Sequence, residues 1–404
     1  MRKRILVITE DLRISGTSEG IVSRSFIARL RNFFPDGIIH IIYIKCFESN
    51  DRLDLLPIDN CEEFEINLKP SVFIKWCNRL TRFFLSFSVY EKNLIEQIRK
   101  IYKNIKPQNY HHIFFRSTGL EFRSIIALEN SKLLPHSIIN FHDPFPKAWY
   151  RKSDYGFRKS DEKTLRSIIK IVERAKACIT PSQVLSQNLA FLYQSNRTFH
   201  TIPHQFVPEV FNLPLPNILF SKKRPDKITL SYHGAHMFGR NIDFMLECFD
   251  ELCAENYEIN NTAIMRIRVK GQENSKLRKK YAHNNNIFIL DSVDFFTSFS
   301  EQMTESDINI LMENGPFYSN VLLGKTPIID YFKKPILIFS PDSSEFRAIC
   351  GNYTFLCSMN NKVEIKQTIN SIVMAVKSGD EISSPFYDLF TQDYFNRSLS
   401  KVLV

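Results

Sequence analysis

Short apolar runs alternate with longer segments of helical periodicity, most clearly in the second half of the chain. Runs of this kind, rich in Ile, Val and Leu, predict buried strands. Six of them lie at 228–232, 264–269, 287–290, 308–311, 335–339 and 353–356, with helical segments between them such as 241–255 and 275–283. Strands that alternate with helices predict a parallel sheet covered by helices on both faces.

The first half of the chain repeats this alternation less regularly. Its predicted strands are 5–8, 38–44, 112–115, 137–141, 177–180 and 200–202, and its predicted helices are 21–32, 94–103, 165–175 and 183–192. We therefore predict an α/β protein with two Rossmann-like domains, 1–205 and 206–385, and a helix in 386–404 that packs back on the first domain. Prolines at 203, 208, 214 and 216, followed by a basic turn at 222–224, predict a hinge at 203–216.

Composition narrows the function classes. The 404 residues are 44% hydrophobic and 24% charged, as in ordinary globular proteins, and the net charge of +10 predicts an anionic partner such as a nucleotide or lipid headgroups. The basic residues are dispersed and form no nucleic-acid-binding module, so nucleic acid is not the expected partner.

The eight cysteines form no C-x-x-C pair and have no histidine at zinc-ligand spacing, which predicts reduced thiols and no metal. We find neither a signal peptide nor a membrane-spanning run. A cytoplasmic protein is therefore expected, either free or peripheral on the inner membrane face.

In open parallel sheets, ligands bind at the carboxyl ends of the strands, so polar residues just after predicted strands are candidate site residues. The loop after strand 5–8 contains Gly16 and Thr17 and opens a helix, where backbone amides can hold an anionic group. His142 and Asp143 follow strand 137–141. His142 is a candidate general base or anchor for a substrate hydroxyl. A plain strand-to-helix turn and a structural histidine are the alternatives.

Glycines and an arginine follow two strands of the second half. Gly234 and Arg240 lie between a strand and the next helix, where a guanidinium can clamp a diphosphate with paired N–H donors. An ordinary exposed arginine is the alternative interpretation. Gly271, after strand 264–269, lets the chain turn away from the sheet beside a ligand.

The loop after strand 308–311 leads into a helix that carries a basic and an acidic residue. A Gly-Pro loop before a helix suits phosphate, a lysine adds positive charge, and a carboxylate further along can bind ribose hydroxyls. The candidate residues here are Gly315, Ser319, Asn320, Lys325 and Asp330.

Collectively, these motifs resemble the family 4 glycosyltransferases of GT-B fold over nearly the whole chain. The family patterns are a-d-x-i-i-t-P-S, v-I-P-N-G, v-G-R-l-x-x-x-K-G-x-d, i-v-G-x-G, a-D-i-x-l and K-x-x-E-Y-x-x-x-k-P. The similar segments of this sequence are, in that order, 174–182, 201–204, 231–243, the glycine at 271, 307–310 and 325–335.

The resemblance implies a first domain that binds the acceptor and a second that binds a nucleotide-diphosphate sugar. It places Arg240 at the family's donor-phosphate lysine, Asp330 at the glutamate that binds the donor ribose, and His142 at the active-site histidine. His142, Arg240 and Lys325 would be the catalytic residues, with retention of configuration and without a cofactor or metal ion. No D-x-D motif is present. A glycan or lipid-linked acceptor in cell-surface polysaccharide assembly is the expected partner.

Two positions depart from the family pattern. Ala235 stands where the family has an arginine, and Leu322 stands at its usual first glutamate, for which Glu313 or Lys325 could substitute. The alternatives are therefore an inverting GT-B transferase, a nucleotide-sugar 2-epimerase and a catalytically inactive GT-B subunit. An epimerase would convert donor without an acceptor, whereas an inactive subunit would bind nucleotide without hydrolysis or transfer.

Basic and aromatic residues interleave in the segment 73–85. At helical spacing the apolar side carries Phe73, Trp76, Leu80, Phe83 and Phe84, and the other side carries Lys75, Arg79 and Arg82. A helix of this kind can lie in an anionic membrane interface. An amphipathic helix packed on its own sheet has the same pattern, so both interpretations stay open.

Overall fold

The computed structural model describes residues 2–46, 49, 51–66, 69–85, 88–117, 122–146, 156–193, 196–213, 226–236, 239–271, 273–315 and 317–404. Within the predicted hinge region, the prolines at 214 and 216 and the basic turn 222–224 lie outside these residues. Chain contacts divide the protein into two units. The first unit is Met1–Asn212 together with Asp388–Val404, and the second unit is Leu213–Tyr387.

The described residues of the first unit form seven strands and six helices before its C-terminal segment. The strands are β1 (Arg4–Thr9), β2 (Ile38–Lys45), β3 (Asn60–Glu65), β4 (His112–Arg116), β5 (Ser137–Asn140), β6 (Ala177–Thr180) and β7 (Phe199–Thr201). The helices are α1 (Ser18–Phe33), α2 (Val72–Leu85), α3 (Val89–Lys103), α4 (Arg123–Ala127), α5 (Lys159–Arg174) and α6 (Gln183–Leu192). All strand pairs are parallel, in the order β3-β2-β1-β4-β5-β6-β7.

The second unit is built in the same way. Its strands are β8 (Ile228–Ala235), β9 (Ala263–Lys270), β10 (Ile287–Asp291), β11 (Ile308–Met312), β12 (Tyr318–Ser319), β13 (Ile336–Ser340), β14 (Ser343–Ser344) and β15 (Leu356–Ser358). Its helices are α7 (Ile242–Glu255), α8 (Tyr257–Thr262), α9 (Asn274–Lys280), α10 (Phe295–Thr304), α11 (Thr326–Tyr331), α12 (Glu345–Cys350) and α13 (Lys362–Ser378). The main sheet is parallel, in the order β10-β9-β8-β11-β13-β15, and β12 pairs with β14.

The central strands are buried on both faces, which explains their almost uninterrupted apolar sequences. β5, β6, β11 and β13 are buried at every position, and helices cover the sheets. Short polar side chains cap many of the helices, as Thr17 does for α1 and Asn241 for α7. The predicted class, two parallel α/β sheets in series, is confirmed.

The last helix, α14 (Gln392–Leu403), packs in the first unit. The Phe395 ring meets the Phe26 ring of α1 edge-on at 5.5 Å between centroids, and Arg29 Nη2 donates to the Phe390 carbonyl oxygen at 2.8 Å. Apolar packing and a charged hydrogen bond together hold this helix. No helix among the described residues is both long and apolar enough to cross a bilayer.

Candidate functional site

In both sheets the strand order reverses beside the first strand of the unit. β1 lies between β2 and β4, and β8 lies between β9 and β11. Connections from neighbouring strands leave in opposite directions at such a point, which opens a crevice at the carboxyl ends where α/β proteins bind ligands. The predicted site residues follow these strands or their neighbours.

The loop after β1 is held by a single carboxylate. Asp11 Oδ1 accepts from the Arg13 backbone N–H at 3.0 Å, and Asp11 Oδ2 accepts from Thr17 Oγ1 at 2.8 Å. Gly20 closes the loop tightly, because a Cβ there would lie 2.4 Å from the Arg13 carbonyl oxygen. Gly16 has a φ of +96°, and a Cβ on it would meet no atom within 4 Å. Gly16 and Thr17 therefore lie on a fixed loop with open space at its glycine.

His142 is buried at the carboxyl end of β5. Its backbone N–H donates to Ser117 Oγ at 3.1 Å, and its ring lies 5.4 Å from the His204 ring between centroids. Burial, then the charges of Arg116 and His204, lower the pKa of His142 well below its usual value, so the imidazole is neutral. The buried Nε2 has no hydrogen-bond partner among the described residues. The half-buried Asp143 follows it.

Arg240 and Lys325 meet at Tyr232, a buried residue of β8. Lys325 Nζ donates to the His233 carbonyl oxygen at 2.9 Å and lies 4.3 Å from the centroid of the Tyr232 ring. Burial lowers the pKa of Lys325 well below its usual value, and the nearby charge of Arg240 lowers it further. Burial raises the pKa of Tyr232, and Arg240 opposes that effect. Two cationic side chains thus lie together, with an aromatic ring and a carbonyl as their neighbours.

Two predicted glycines make room for this arrangement. A Cβ on Gly234 would lie 2.4 Å from the Tyr232 hydroxyl, and a Cβ on Gly271 would lie 3.0 Å from His236 Cδ2. Beside them, His233 Nδ1 hydrogen-bonds Ser298 Oγ at 2.8 Å. We expected both glycines to lie beside a ligand. In the structure their nearest neighbours are the aromatic side chains of Tyr232 and His236.

Glu313 is a buried carboxyl at the end of β11. Its Oε2 accepts from Ser340 Oγ at 2.5 Å, and Ser340 Oγ is in turn 2.6 Å from Ser344 Oγ. Burial raises the pKa of Glu313 to about 7, against the hydrogen bonds from these serines. Its buried Oε1 has no partner among the described residues, and neither has the hydroxyl of Ser319.

The remaining predicted donor residues lie on the loop and helix after β11. Gly315 has a φ of +67°, which favours glycine, and Asn320 follows β12 directly. Asp330, on α11, is buried and already accepts hydrogen bonds from Ser384 Oγ and from Lys333 Nζ. A ribose would have to share those carboxylate oxygens. Leu322 is wholly buried and supplies no polar group.

Three residues of these clusters were not among the predicted site residues. Tyr232 lies within a strand, where an aromatic side chain is expected in the core. Arg116 ends β4, and His204 follows β7 closely, so the rule used for His142 also applies to them. No group of three or more His, Cys, Asp or Glu that could hold a metal occurs in the part of the chain that the structure describes.

No protein-family model matches the chain, and no curated protein matches its sequence. Solved structures do match over its whole length. A glycosyltransferase from Rickettsia africae has a TM-score of 0.60 and 14% identity, and covers 100% of this chain and 98% of its own. Sucrose-phosphate synthase from Thermosynechococcus elongatus has a TM-score of 0.63 at 11% identity, covering 99% and 98%. A putative UDP-N-acetylglucosamine 2-epimerase from Listeria monocytogenes has a TM-score of 0.61 at 11% identity, covering 100% and 96%.

These similarities define the fold class. The two parallel α/β units, matched end to end by GT-B structures, establish the two-domain GT-B fold that the sequence predicted. At such low identity, a shared fold does not transfer an activity, because related folds support different chemistries. The function has to be argued from the site.

Proposed function

We propose that the chain is a GT-B glycosyltransferase that transfers a sugar from a nucleotide-diphosphate donor. The observation that carries the proposal is the pair of cations at Tyr232. Lys325 lies on the ring and on a carbonyl oxygen, with Arg240 close by, and no described carboxylate raises the pKa of Lys325. Charging Lys325 in this position is costly without a neighbouring anion, and a bound diphosphate would offset that cost. The solved structures that resemble the chain include an E. coli protein bound with UDP-2-fluoro glucose.

The proposed role of Arg240 and Lys325 is to stabilise the leaving group. When the bond between C1 of the sugar and the phosphate oxygen breaks, the nucleoside diphosphate takes the electron pair, and negative charge grows on that oxygen. Cations held in a buried site act strongly on such charge. They would serve in place of a metal ion. Asp330 would bind the donor ribose, and the loop with Gly315, Ser319 and Asn320 would approach the phosphates.

His142 is proposed to face the acceptor. Its neutral ring has an unpaired Nε2, which can accept a hydrogen bond from an acceptor hydroxyl. His142→Ala should therefore lower turnover by about a hundredfold. It should leave nucleotide affinity nearly unchanged, because His142 belongs to the first unit. Turnover equal to that of the wild type would make the histidine structural.

A nucleotide-sugar 2-epimerase is the second candidate, because a putative epimerase has the same fold at the same low identity. The two activities separate on incubation with a nucleotide sugar alone. A transferase would release only slow hydrolysis product until a glycan or lipid-linked acceptor is added, whereas an epimerase would form the epimer at once. Nucleotide binding without any turnover would indicate the inactive subunit.

Retention of configuration is the proposed stereochemical outcome. The anomeric proton of the first product, followed by nuclear magnetic resonance, should then show the same configuration as in the donor. Inversion in the initial product would contradict the proposal without affecting the donor site.

We place the acceptor at an anionic membrane because of the exposed apolar face of α2. Val72, Phe73, Trp76 and Leu80 are 83%, 74%, 65% and 41% exposed on that helix. The helix carries no acidic residue, and Lys75 and Arg79 lie on it. Exposed aromatic and aliphatic residues beside cations suit the interface of a bilayer with anionic lipids. The side chains of 82–85, including Arg82, lie outside the described residues. A lipid-linked acceptor in cell-surface polysaccharide assembly agrees with such a surface.

Flotation with liposomes tests this surface. The wild type should float with vesicles that contain anionic phosphatidylglycerol at low salt, and Lys75→Glu/Arg79→Glu should not. Lys276→Glu/Lys279→Glu makes the same charge change on exposed residues of the second unit and serves as the control. Failure of the wild type to float, or equal loss in the control, would contradict the assignment of α2.

A further inference from the structure

Three arginines among the described residues are almost wholly buried: Arg24, Arg116 and Arg266. Arg24 donates to four backbone carbonyl oxygens. Arg266 forms ion pairs with the buried carboxylates of Glu301 and Glu305 at 3.1 and 3.0 Å. A buried guanidinium is thus usually satisfied in this protein, by carbonyls in one case and by carboxylates in the other. Arg116 is the exception.

Arg116 keeps a buried donor unused. Its Nε donates to Ser23 Oγ at 3.0 Å, its Nη2 reaches the Val22 carbonyl oxygen at 3.5 Å, and its guanidinium lies 4.2 Å from the Phe26 ring centroid. The buried Nη1 has no partner among the described residues. Burial lowers the pKa of Arg116 to about 9, and no described carboxylate raises it. The side chain is therefore a positive charge at neutral pH without a neighbouring negative one.

Other unpaired polar atoms occur in the first unit, on residues that neighbour Arg116 or follow the strands beside it. Asn140 stands next to it on β5, in register, and Asn140 Oδ1 is buried without a partner. His142 Nε2 and Gln205 Oε1 are also buried without partners among the described residues. Burial lowers the pKa values of His142 and His204, and the charge of Arg116 lowers both further. A cation, two neutral imidazoles and an amide oxygen thus gather at the carboxyl ends of β4, β5 and β7, where parallel sheets bind ligands.

We propose that Arg116 forms an anion subsite in the first unit, which takes a phosphate or carboxylate group of the ligand bound there. The amide oxygen of Asn140 accepts a hydroxyl group of the same ligand. The identification of this ligand as the sugar acceptor rests on the proposed function. The subsite itself does not, because it lies in the first unit and the proposed donor site lies in the second.

The lack of a counter-charge gives the subsite a testable signature. Replacing a buried uncompensated charge by an apolar side chain of similar size is neutral or stabilising, whereas removing a fully satisfied one leaves its partners unpaired. Arg116→Met should therefore unfold at or above the wild-type temperature. Arg24→Met should unfold at a lower temperature, because four carbonyl oxygens lose their donor.

The deciding experiment follows thermal unfolding of the full chain as inorganic phosphate is added. Phosphate at about five times its Kd should raise the Tm of the wild type by about 2–4 °C. Because the proposed donor site can also take phosphate, the Arg116 subsite is measured in the Arg240→Ala background. The shift should be retained in Arg240→Ala and lost in Arg240→Ala/Arg116→Met. A shift already lost in Arg240→Ala would overturn the subsite while leaving the donor site intact, and no wild-type shift would also overturn it. If Arg116→Met does not fold, Arg116→Lys replaces it, with a shift reduced at least by half expected.

The source of the anion is tested with glucose 6-phosphate, glucose and acetate. Glucose 6-phosphate should shift the Tm at a lower concentration than inorganic phosphate if the anion is a phosphate group of the acceptor. In Arg116→Met this advantage of the sugar phosphate should be lost. A response to acetate that also depends on Arg116 supports a carboxylate. If inorganic phosphate shifts the Tm at a lower concentration than both glucose 6-phosphate and acetate, the site binds a free ion. The assignment to an acceptor group is then overturned.

Discussion

The ammonium of Lys325 lies on a carbonyl oxygen and an aromatic ring rather than on a carboxylate. Burial and the charge of Arg240 lower its pKa, so the free protein holds this proton weakly. A bound diphosphate favours the charged form and raises that pKa again. Binding and proton uptake are therefore coupled at this residue.

We predict that nucleoside diphosphate binding takes up a proton at alkaline pH, where the phosphates themselves are already ionised. Affinity should rise as the pH falls toward the pKa of free Lys325, because less work is needed to charge the amine. Calorimetry in two buffers of different ionisation enthalpy measures the uptake, and Lys325→Met should abolish it. A wild type that takes up no proton, with pH-independent affinity, would show that Lys325 does not meet the phosphates.

Gly234 offers a second test at the scale of one residue. An added Cβ would lie 2.4 Å from the Tyr232 hydroxyl, so Gly234→Ala should displace the ring that supports Lys325. Overpacking of this kind costs about 1–3 kcal/mol, and we expect nucleotide affinity to fall about tenfold. Gly156→Ala is the control, because a Cβ there meets nothing within 4 Å. Equal affinity of the two variants would separate Tyr232 from the site.

At the same scale, the sequence predicted the charged residues of the site better than the residues that hold those side chains in position. Arg240 and Lys325 follow strands, and position alone makes them candidates. Tyr232 could not be distinguished from a core aromatic, because only the fold shows that a lysine lies on its ring. For Asp330, the hydrogen bond from Ser384 joins residues far apart in sequence, and no local pattern predicts it.

Among the elements, α10 is attached to its sheet by buried charges. Glu301 and Glu305, both on or directly after α10, pair with Arg266 of β9, and Glu301 also pairs with Arg268. Both glutamates are wholly buried. Because buried ions are costly when unpaired, this network makes the position of α10 depend on every member.

We predict that Glu301→Gln lowers the free energy of unfolding by about 3–5 kcal/mol, since two arginines lose a charged partner in the interior. Glu247→Gln removes a carboxylate from a surface pair with Lys362, and it should cost less than about 1 kcal/mol. Urea unfolding of both variants makes the comparison. A similar small cost for both would mean that water reaches the network.

The sheets could be predicted from the sequence because their central strands are buried on both faces. β3 was missed for the opposite reason: it is an edge strand with the sequence Asn-Cys-Glu-Glu-Phe-Glu, and no position in it is fully buried. β12 and β14 have two residues each, too few for a periodicity. The strand predicted at 353–356 lies at Leu356–Ser358, because a turn occupies the preceding residues.

Across the whole molecule, the two units repeat one theme. Each is a parallel sheet with a reversal of strand order, and each has a deeply placed cation that no described carboxylate pairs with: Arg116 in the first unit and Lys325 in the second. The net charge of +10 agrees with a protein that handles anions, although most of its salt bridges are at the surface. The central claim is that the cations of the second unit bind the diphosphate of a nucleotide sugar.

Calorimetric titration with UDP, GDP and ADP, for the wild type and for Arg240→Ala, tests this claim most directly. We predict that at least one nucleotide binds the wild type, and that the variant binds it about ten- to a hundredfold more weakly, as expected for the loss of a charge-assisted hydrogen bond of about 1.5–3 kcal/mol. Arg278→Ala, which removes an exposed arginine of the same unit, should bind like the wild type. Unchanged affinity in Arg240→Ala, or no binding of any nucleotide to the wild type, would contradict the account.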